Sequence, residues 1–372
     1  MSDKKSCLLF AFCLWLLSAN ALPAFTASKD TIRASSLHPC GRFAVDNNGQ
    51  LELISSAVYF GFRFSGSSFS IRVRITDSAG HNYLQYTIDG QYQQRIKIMG
   101  NSPQSLFIRG LKPGSHSVWV YKATEATTGP IFIENIVARD ASPLKLPELP
   151  LIEFIGNSIT CGAAADPSEI PCGKGQYHDQ HNAYYAYGPR VSRNLHVNFI
   201  LSSVSGIGIY RNWNSMSPIM PQVYEKTDFL ENSNRYWDFT TYHPRIVSIA
   251  LGTNDFSDGD GIKPRLPFDS AQFVKNYIGF IQLIRLKYPG VLIALLSSPM
   301  LNGSKREQLQ NCLRTVKIQV DHLYPGTIPV ELFFFKPMQA RGCGGHPSVE
   351  DHAILAEELM PFFKKLMDEG AM

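Results

Sequence analysis

The chain has 372 residues, of which 44% are hydrophobic and 18% charged, and its net charge is +4 from 35 basic and 31 acidic residues. This length is too great for one typical domain and suits two, and the apolar fraction is sufficient for a proper core in each. The small net charge, with no dense stripe of Lys and Arg, excludes nucleic acid as a partner.

Residues 1–27 are typical of a secretory signal peptide. Lys4 and Lys5 form a positive start, residues 7–17 are an apolar stretch of 11 residues, and small residues follow. The stretch is short for a membrane span, which needs ~20 residues, so an uncleaved anchor is the weaker alternative. We therefore predict a secreted or periplasmic protein, with cleavage after Ala21 or Ala27.

Residues 28–140 are predicted to form an antiparallel β-sandwich. Strand patterns run over 57–64, 69–75, 83–88 and 117–121, and turn signals separate them at 77–80, 89–90 and 112–114. Several short strands at this spacing favour a sandwich, and no convincing helix pattern occurs in the region. The proline-rich residues 141–150 then indicate a linker.

Residues 151–372 show a different pattern, typical of an α/β domain. Apolar runs at 151–155, 197–201, 246–251, 291–296 and 330–335 alternate with helical periodicity at 271–288, 305–322 and 348–366. Buried strands that alternate with helices predict a parallel sheet covered on both faces. The active site of such a sheet lies at the carboxyl ends of its strands.

Four motifs at predicted strand ends contain residues suited to acyl transfer. Ser158 follows a strand and opens a helix, Gly206 and Gly208 lie in a loop, Asn254 ends another strand, and His346 precedes the last helix. Each has an ordinary alternative: a helix N-cap, loop glycines, a turn-capping Asn and a structural His. A serine on a tight turn with a late histidine is nevertheless what nucleophilic catalysis requires.

Taken together and in this order, the motifs resemble the SGNH (GDSL-type) hydrolases and, among them, carbohydrate esterase family two. The supporting stretches are IEFIGNSITCG at 152–162, SGIGIYRN at 205–212, WDF at 237–239, LGTNDFS at 251–257 and GHPSV at 345–349. That branch also has an N-terminal jelly-roll sandwich. The resemblance therefore covers nearly all of the mature chain.

The resemblance implies hydrolysis of O-acetyl esters on xylan- or glucomannan-type polysaccharides, without metal or cofactor, by a protein that we expect to be a monomer. Ser158 would be the nucleophile and His346 its base. The backbone N–H groups of Ser158 and Gly206 and the side-chain amide of Asn254 would form the oxyanion hole. Another SGNH chemistry, such as a lipase or thioesterase, and a carbohydrate-binding protein without turnover are the alternatives.

Two positions depart from the pattern of the family. Asn157 stands where most members have Asp, and we expect only a structural effect. Cys343 stands three residues before His346, where many members have the Asp of the triad. Within family two a backbone carbonyl can orient the histidine instead, whereas Glu350 and Asp351 are expected on the following helix.

Two further groups of residues are candidates for binding substrate or metal. Tyr210, Arg211 and Trp213 are predicted to contact substrate, the two aromatic residues because their faces stack on sugar rings. Trp237 could stack in the same way but is as well explained by core packing. A metal site at Cys172, His178 and His181 is disfavoured, because no second ligand pair has matching spacing.

Five of the seven cysteines remain after signal cleavage, so at least one thiol stays free. If Ser158 and His346 meet, Cys161 and Cys343 must be near neighbours. A Cys161–Cys343 bridge and a Cys161–Cys172 bridge are then equally compatible with the sequence.

Overall fold

A computed structural model describes residues 29–369, so the predicted signal peptide lies outside the described residues. Two domains follow one another along the chain, an antiparallel β domain and a parallel α/β domain, as predicted. Between residues 29 and 369, no helix combines the length and apolar character that crossing a bilayer requires.

The N-terminal domain consists of nine antiparallel strands. They are β1 (Lys29–Arg33), β2 (Phe43–Val45), β3 (Leu51–Leu53), β4 (Tyr59–Ile75), β5 (His81–Ile88), β6 (Gln91–Met99), β7 (Gln104–Ile108), β8 (Gly114–Lys122) and β9 (Ile131–Leu144). Two 3-10 turns, Ala34–Ser36 and Ala126–Thr128, interrupt the strand order.

Strand β4 joins two segments that the sequence pattern predicts as separate strands. Its first half pairs with β8 and its second half with β7, and its register against β9 shifts between Arg63 and Ser70. The chain bends there, so that Phe62 and Phe64 face Phe69 across the core with ring centroids 5.2 Å apart in each pair. The sandwich is thus one continuous hydrogen-bonded sheet folded over its own apolar face.

The predicted start of the linker at residue 141 is wrong by four residues. Strand β9 continues to Leu144, and its last three residues pair with Gly61, Phe62 and Arg63. Pro143 suggested a linker, but proline is tolerated where a strand lies at an edge or ends.

The C-terminal domain contains a five-stranded parallel sheet in the order β11-β10-β12-β13-β14. The strands are β10 (Leu151–Gly156), β11 (Asn198–Ser203), β12 (Ile246–Ala250), β13 (Leu292–Leu296) and β14 (Glu331–Phe333). The helices are α1 (Ser158–Cys161), α2 (Tyr187–Leu195), α3 (Met220–Val223), α4 (Ser270–Lys287), α5 (Gly303–Leu323) and α6 (Val349–Glu369), with 3-10 turns at Tyr177–Gln180, Ala183–Tyr185 and Cys343–Gly345.

Alternation of side chains along the strands divides the core of this domain into two halves. Val247 and Ile249 pack with α4 and α5, whereas Ile152 and Phe154 pack with α2 and α6 on the opposite face. Helices on both faces produce the predicted three-layer arrangement. The carboxyl ends of β10, β11 and β12 consequently lie side by side at one edge.

The two domains share a buried interface. The Tyr59 and Phe199 rings pack with centroids 4.9 Å apart. The Arg42 guanidinium, fully buried, donates from Nη1 to the carbonyl oxygens of Tyr224 (2.6 Å) and Lys226 (2.7 Å). The β domain therefore packs directly against the α/β domain.

Candidate active site

Ser158 occupies a sharp strand-to-helix turn. Strand β10 ends at Gly156, where an added Cβ would lie 2.0 Å from Thr160 Oγ1, so the turn closes only around glycine. Asn157 is the N-cap of α1, and its Oδ1 accepts the Ile159 N–H at 3.0 Å. Neutral Asn thus performs the capping, and the N–H of Ser158, at the first helical position, has no intrahelical acceptor.

His346 lies against this serine. Its Nε2 is 3.0 Å from Ser158 Oγ, and its Nδ1 is 3.3 Å from the carbonyl oxygen of Cys343. A carbonyl only accepts, so Nδ1 carries the hydrogen and Nε2 is free to accept a proton. The pair has the geometry of a nucleophile and its general base.

The two carboxylates that follow in the sequence face other groups. Asp351 accepts the N–H groups of Arg341 (2.8 Å) and Ser348 (3.0 Å) and pairs with the Arg341 guanidinium. Glu350 accepts the Ser348 hydroxyl at 2.8 Å. The group at His346 Nδ1 is therefore a peptide carbonyl.

Burial lowers the pKa of His346 below its ordinary value of 6.5. Hydrogen bonds that the imidazole donates to the backbone of Cys343 and Gly344 oppose this shift, and the nearby charges of His181 and Glu125 act in opposite directions. The imidazole is accordingly neutral at pH 7 and ready to accept the serine proton.

The loop after β11 turns tightly beside the serine. The Ile207 N–H donates to the Val204 carbonyl at 3.4 Å, and Gly206 has φ +76°, which a type II turn requires at its third residue. The Asn254 Nδ2 donates one hydrogen to the Ile207 carbonyl at 2.8 Å. Its second hydrogen remains for a ligand. The bond to the Ile207 carbonyl connects Asn254 to the turn that contains Gly206.

Asp255, the residue after Asn254, anchors the other end of this loop. Its buried carboxylate accepts the N–H groups of Ile209 (3.0 Å), Tyr210 (2.9 Å) and Arg211 (3.2 Å). Burial raises the pKa of Asp255 to about 6, and the three N–H donors oppose the shift. The sequence does contain a signal for this role. Asp255 lies inside the LGTND motif at a strand end, and a buried charge there needs several hydrogen-bond partners.

The three residues predicted to bind substrate are placed differently from one another. Tyr210 is only 8% exposed and its hydroxyl accepts the Asp269 N–H at 3.1 Å. Arg211 is 4% exposed and donates to the carbonyl oxygens of Asp255 and Leu266, both at 2.6 Å. The Trp213 side chain is exposed, with a residue exposure of 48%, and the backbone N–H of Trp213 donates to the Gly206 carbonyl at 2.8 Å.

These contacts make Tyr210 and Arg211 supports of the loop, so that of these three residues only Trp213 is still proposed to contact substrate. Trp237 is buried, with its ring near Phe43 of the β domain and Tyr242, which agrees with the core-packing interpretation.

The disulfide in the structure is neither of the two that the sequence left open. Cys343 pairs with Cys172, which links the His346 loop to the loop before Tyr177. Cys161 is a free, buried thiol whose Sγ lies 3.2 Å from Ser203 Oγ. Cys161 is near the site, but its side chain points into the core. Its proximity in sequence to Ser158 could not predict that direction.

Two contacts at the site were not predicted. Tyr177 places its hydroxyl 3.4 Å from His346 Nε2 and 3.4 Å from Ser205 Oγ. Glu125 reaches in from the β domain and accepts the Ser205 N–H at 2.7 Å. Neither stands beside a recognised motif, so no local pattern marks them.

Within residues 29–369, one group could hold a cation: His81, His178 and Asp179, whose ligand atoms lie within 4.8 Å of one another. Asp179 Oδ1 already accepts from His81 Nε2 (2.6 Å) and Tyr83 (2.5 Å), and Oδ2 accepts the Gln176 N–H (2.7 Å). The cluster is thus held by its own hydrogen bonds. The disfavoured set of Cys172, His178 and His181 is not assembled, since Cys172 is in the disulfide.

Both domains match known protein families. Residues 40–147 match the family "Carbohydrate esterase 2 N-terminal", and residues 154–324 match the "GDSL-like Lipase/Acylhydrolase family". An acetylxylan esterase / glucomannan deacetylase of Cellvibrio japonicus is 28% identical over 359 residues, which cover 93% of this chain and 95% of that protein.

Solved structures show the same two-domain arrangement. A family two carbohydrate esterase from Clostridium thermocellum, in complex with cellohexaose, is 26% identical with a TM-score of 0.78 over 91% of this chain and 99% of that one. A family two carbohydrate esterase from Cellvibrio japonicus is 24% identical, with a TM-score of 0.79 over 92% and 98% of the two chains, and supports the fold. The chain therefore belongs to the family two carbohydrate esterases, in which a β domain precedes a GDSL-type hydrolase domain.

Proposed function

We propose that this protein is a secreted or periplasmic O-acetyl esterase that removes acetyl groups from polysaccharides of the xylan or glucomannan type. The observation that carries the proposal is the 3.0 Å contact between Ser158 Oγ and His346 Nε2 at the strand-end edge. The activity named for the Cellvibrio japonicus relative supports this substrate class.

The proposed reaction begins with attack of Ser158 Oγ on the acetyl carbonyl carbon, while His346 Nε2 takes the hydroxyl proton. The tetrahedral intermediate collapses by breaking the bond to the sugar oxygen, which receives that proton from His346. Water, activated by the same nitrogen, then attacks the acetyl-enzyme and releases acetate. The Cys343 carbonyl holds the imidazole in the required tautomer throughout.

Three donors are proposed for the oxyanion: the N–H groups of Ser158 and Gly206 and the free hydrogen on Asn254 Nδ2. Each such donor is typically worth ~3 kcal/mol in the transition state. The Ile207 carbonyl fixes the amide orientation of Asn254 before substrate arrives, so no reorganisation is needed when charge develops.

Trp213 and Tyr177 are proposed to contact the polysaccharide. Both are 48% exposed, Trp213 beside the Gly206 turn and Tyr177 beside His346. Aromatic faces present apolar area to sugar rings while the catalytic pair stays accessible between them. One chain contains all the proposed groups, so a monomer suffices.

The test is acetate release from acetylated xylan and acetylated glucomannan by the purified protein and by its Ser158→Ala variant. We expect release by the parent and a loss of several orders of magnitude in kcat for the variant, with unchanged circular dichroism. Turnover of long-chain esters or thioesters alone would favour another GDSL-type chemistry. Polysaccharide binding without acetate release would favour a binding protein.

A further inference from the structure

A carboxylate of the β domain lies beneath the proposed oxyanion hole. Glu125 is 1% exposed, and its side chain crosses into the hydrolase domain. Its Oε2 accepts the Ser205 N–H at 2.7 Å, and its Oε1 is 3.3 Å from His181 Nε2. The Cys161 thiol lies 3.7 Å from Oε2.

The turn that carries Glu125 is itself rigidly held. The Glu125 carbonyl accepts hydrogen bonds from Lys122 Nζ and, at 2.7 Å, from Thr128 Oγ1. Lys122 is fully buried and also donates to the Ile54 carbonyl at 3.0 Å. The Ala123 carbonyl accepts the Ala183 N–H at 3.1 Å across the domain boundary. The carboxylate is therefore presented from a fixed base.

Glu125 controls one peptide of the tight turn that contains Gly206. Ser205 and Gly206 are the two central residues of that turn, and the Ser205 N–H belongs to the peptide immediately before the one that carries the Gly206 N–H. Fixing the first peptide therefore limits how the second can rotate. Gly206, with φ +76° and no side chain, has no steric restraint of its own.

A second set of contacts connects Glu125 to His346, the proposed base. His181 Nδ1 accepts the Ala164 N–H at 3.3 Å, which leaves the hydrogen on Nε2, directed at Glu125. The His181 ring lies edge-on to Tyr177 with centroids 4.7 Å apart, and Tyr177 contacts His346. One carboxylate thus reaches both halves of the site.

We propose that Glu125 is a positioning residue through which the β domain completes the esterase site. It orients the Gly206 N–H by holding the Ser205 peptide. Through His181 it also supports the contact between Tyr177 and His346. The proposal rests on the proposed function, because it assigns the Gly206 N–H to the oxyanion.

The charge of Glu125 matters as well as its shape. Burial raises its pKa, but the bonds from His181 and Ser205 outweigh burial and lower the pKa to about 2, so the group is ionised in the working range. The titratable groups that face it are His181, Cys161, Lys122 and Tyr177. His346 in turn faces Glu125 and His181, and the Glu125 charge favours its protonated form.

The test compares Glu125→Gln with the parent, using a small acetyl ester and acetylated xylan. The Ser205 N–H, the His181 Nε2–H and the Cys161 thiol all donate to the Glu125 carboxylate, so an amide leaves at least one of them facing an NH₂ group. We expect kcat to fall about 10- to 100-fold with KM within about threefold, less than the loss of a whole oxyanion donor. The acid limb of kcat/KM should also move to lower pH by about half a unit, because a negative charge near His346 has gone.

The matched control is Glu52→Gln. Glu52 is another buried carboxylate of the β domain that pairs across the interface, with Arg235 at 2.9 and 2.6 Å, but it has no contact with the Ser205 turn. We expect kcat within about twofold of the parent and an unmoved acid limb.

The midpoint of the acid limb does not depend on how many molecules are folded, so partial misfolding of Glu125→Gln cannot imitate the shift. Glu125→Asp is the second variant: it keeps the charge but withdraws the oxygens, so it should lower kcat and leave the limb in place. The proposal would be overturned if Glu125→Gln kept the kcat and the acid-limb midpoint of the parent. It would also be overturned if Glu52→Gln lost as much kcat as Glu125→Gln. Absence of acetate release by the parent would instead refute the proposed function.

Discussion

His346 is the residue whose surroundings differ most from a serine-hydrolase triad. Its Nδ1 faces the Cys343 carbonyl, which stabilises the imidazolium less than a carboxylate would, and burial lowers its pKa below 6.5. The base works only when neutral. We therefore expect kcat/KM to hold as the pH falls from about 8 to about 6.5 and to decline only below that value.

The measurement is kcat/KM for a small acetyl ester across the pH range, with circular dichroism at each pH to confirm the fold. An acid limb with its midpoint above 6.5 would mean that an anion pairs with the imidazolium. The dyad interpretation would then have to be abandoned.

Trp213 offers a test of the substrate side. The side chain is half-exposed and its backbone N–H, which holds the Gly206 carbonyl, is kept in Trp213→Ala. Loss of one aromatic face typically costs about 0.5–1.5 kcal/mol, so we expect KM for acetylated xylan to rise about 2- to 10-fold. The kcat/KM for a small acetyl ester should stay within about twofold.

Tyr236→Ala is the control, since this exposed aromatic of the same domain packs on Lys226 and should leave both substrates unaffected. Equal losses on the two substrates in Trp213→Ala would place Trp213 in the support of the oxyanion turn instead of the sugar site.

At the level of elements, strands and long helices were predictable because their apolar periodicity is strong. The helix predicted at 271–288 is α4, Ser270–Lys287, which begins where the Asp269 side chain caps the Gln272 N–H. The pairing of β4 was not predictable, since the continuation of one strand through Gly66 depends on partners in β7 and β8 that are distant in sequence.

The residues of the site also divide into those that the sequence could predict and those that it could not. Ser158 and His346 could be found because each lies at the end of an element with a recognisable pattern. Glu125 and Tyr177 could not, because their positions depend on how the β domain and a 3-10 turn are placed against the sheet. The Cys172–Cys343 pair was missed for the same reason.

The start of α6 provides an element-scale test of the missing acid. Asp351 holds the His346 loop to this helix through the N–H groups of Arg341 and Ser348, and Glu350 accepts the Ser348 hydroxyl. We expect Asp351→Asn and Glu350→Gln to keep kcat within about tenfold of the parent, whereas an Asp→Asn change in a true triad costs ~10⁴. Asp351→Asn should still lower thermal stability, because buried N–H groups lose a charged acceptor.

Initial rates at saturating acetyl ester decide this, together with thermal melts of both variants. A collapse of kcat in either folded variant would show that a carboxylate on α6 serves as the third member of the triad.

For the whole molecule, the β domain is part of the hydrolase's own interior. Arg42 enters the α/β domain with its side chain fully buried, and Glu125 contacts the loop that carries the proposed oxyanion hole. Sequence patterns divide the chain at its linker but contain no sign of these insertions. One hydrophobic cluster contains residues of both domains, so we expect them to unfold as one cooperative unit, although each domain also has a cluster largely of its own.

Arg42 tests this coupling. Its Nη1 satisfies the carbonyl oxygens of Tyr224 and Lys226, and its Nη2 lies 3.8 Å from Glu153, which is also buried. Arg42→Leu removes the donor to two carbonyls and leaves the Glu153 carboxylate without its nearest cation. Breaking such a buried pair typically costs 3–5 kcal/mol, so we expect the free energy of unfolding to fall by about that amount.

Urea unfolding followed by circular dichroism and by tryptophan fluorescence measures the change and whether the two signals move together. Arg72→Leu is the control, because Arg72 pairs with Glu134 on the surface of the β domain and should contribute about 0–1 kcal/mol. A single transition that shifts as a whole in Arg42→Leu would support one cooperative unit, since a purely local loss in one domain would separate the two signals. Equal shifts in the two variants would mean that Arg42 does not couple the domains, and the β domain would then be an appendage whose contacts merely lie beside the esterase site.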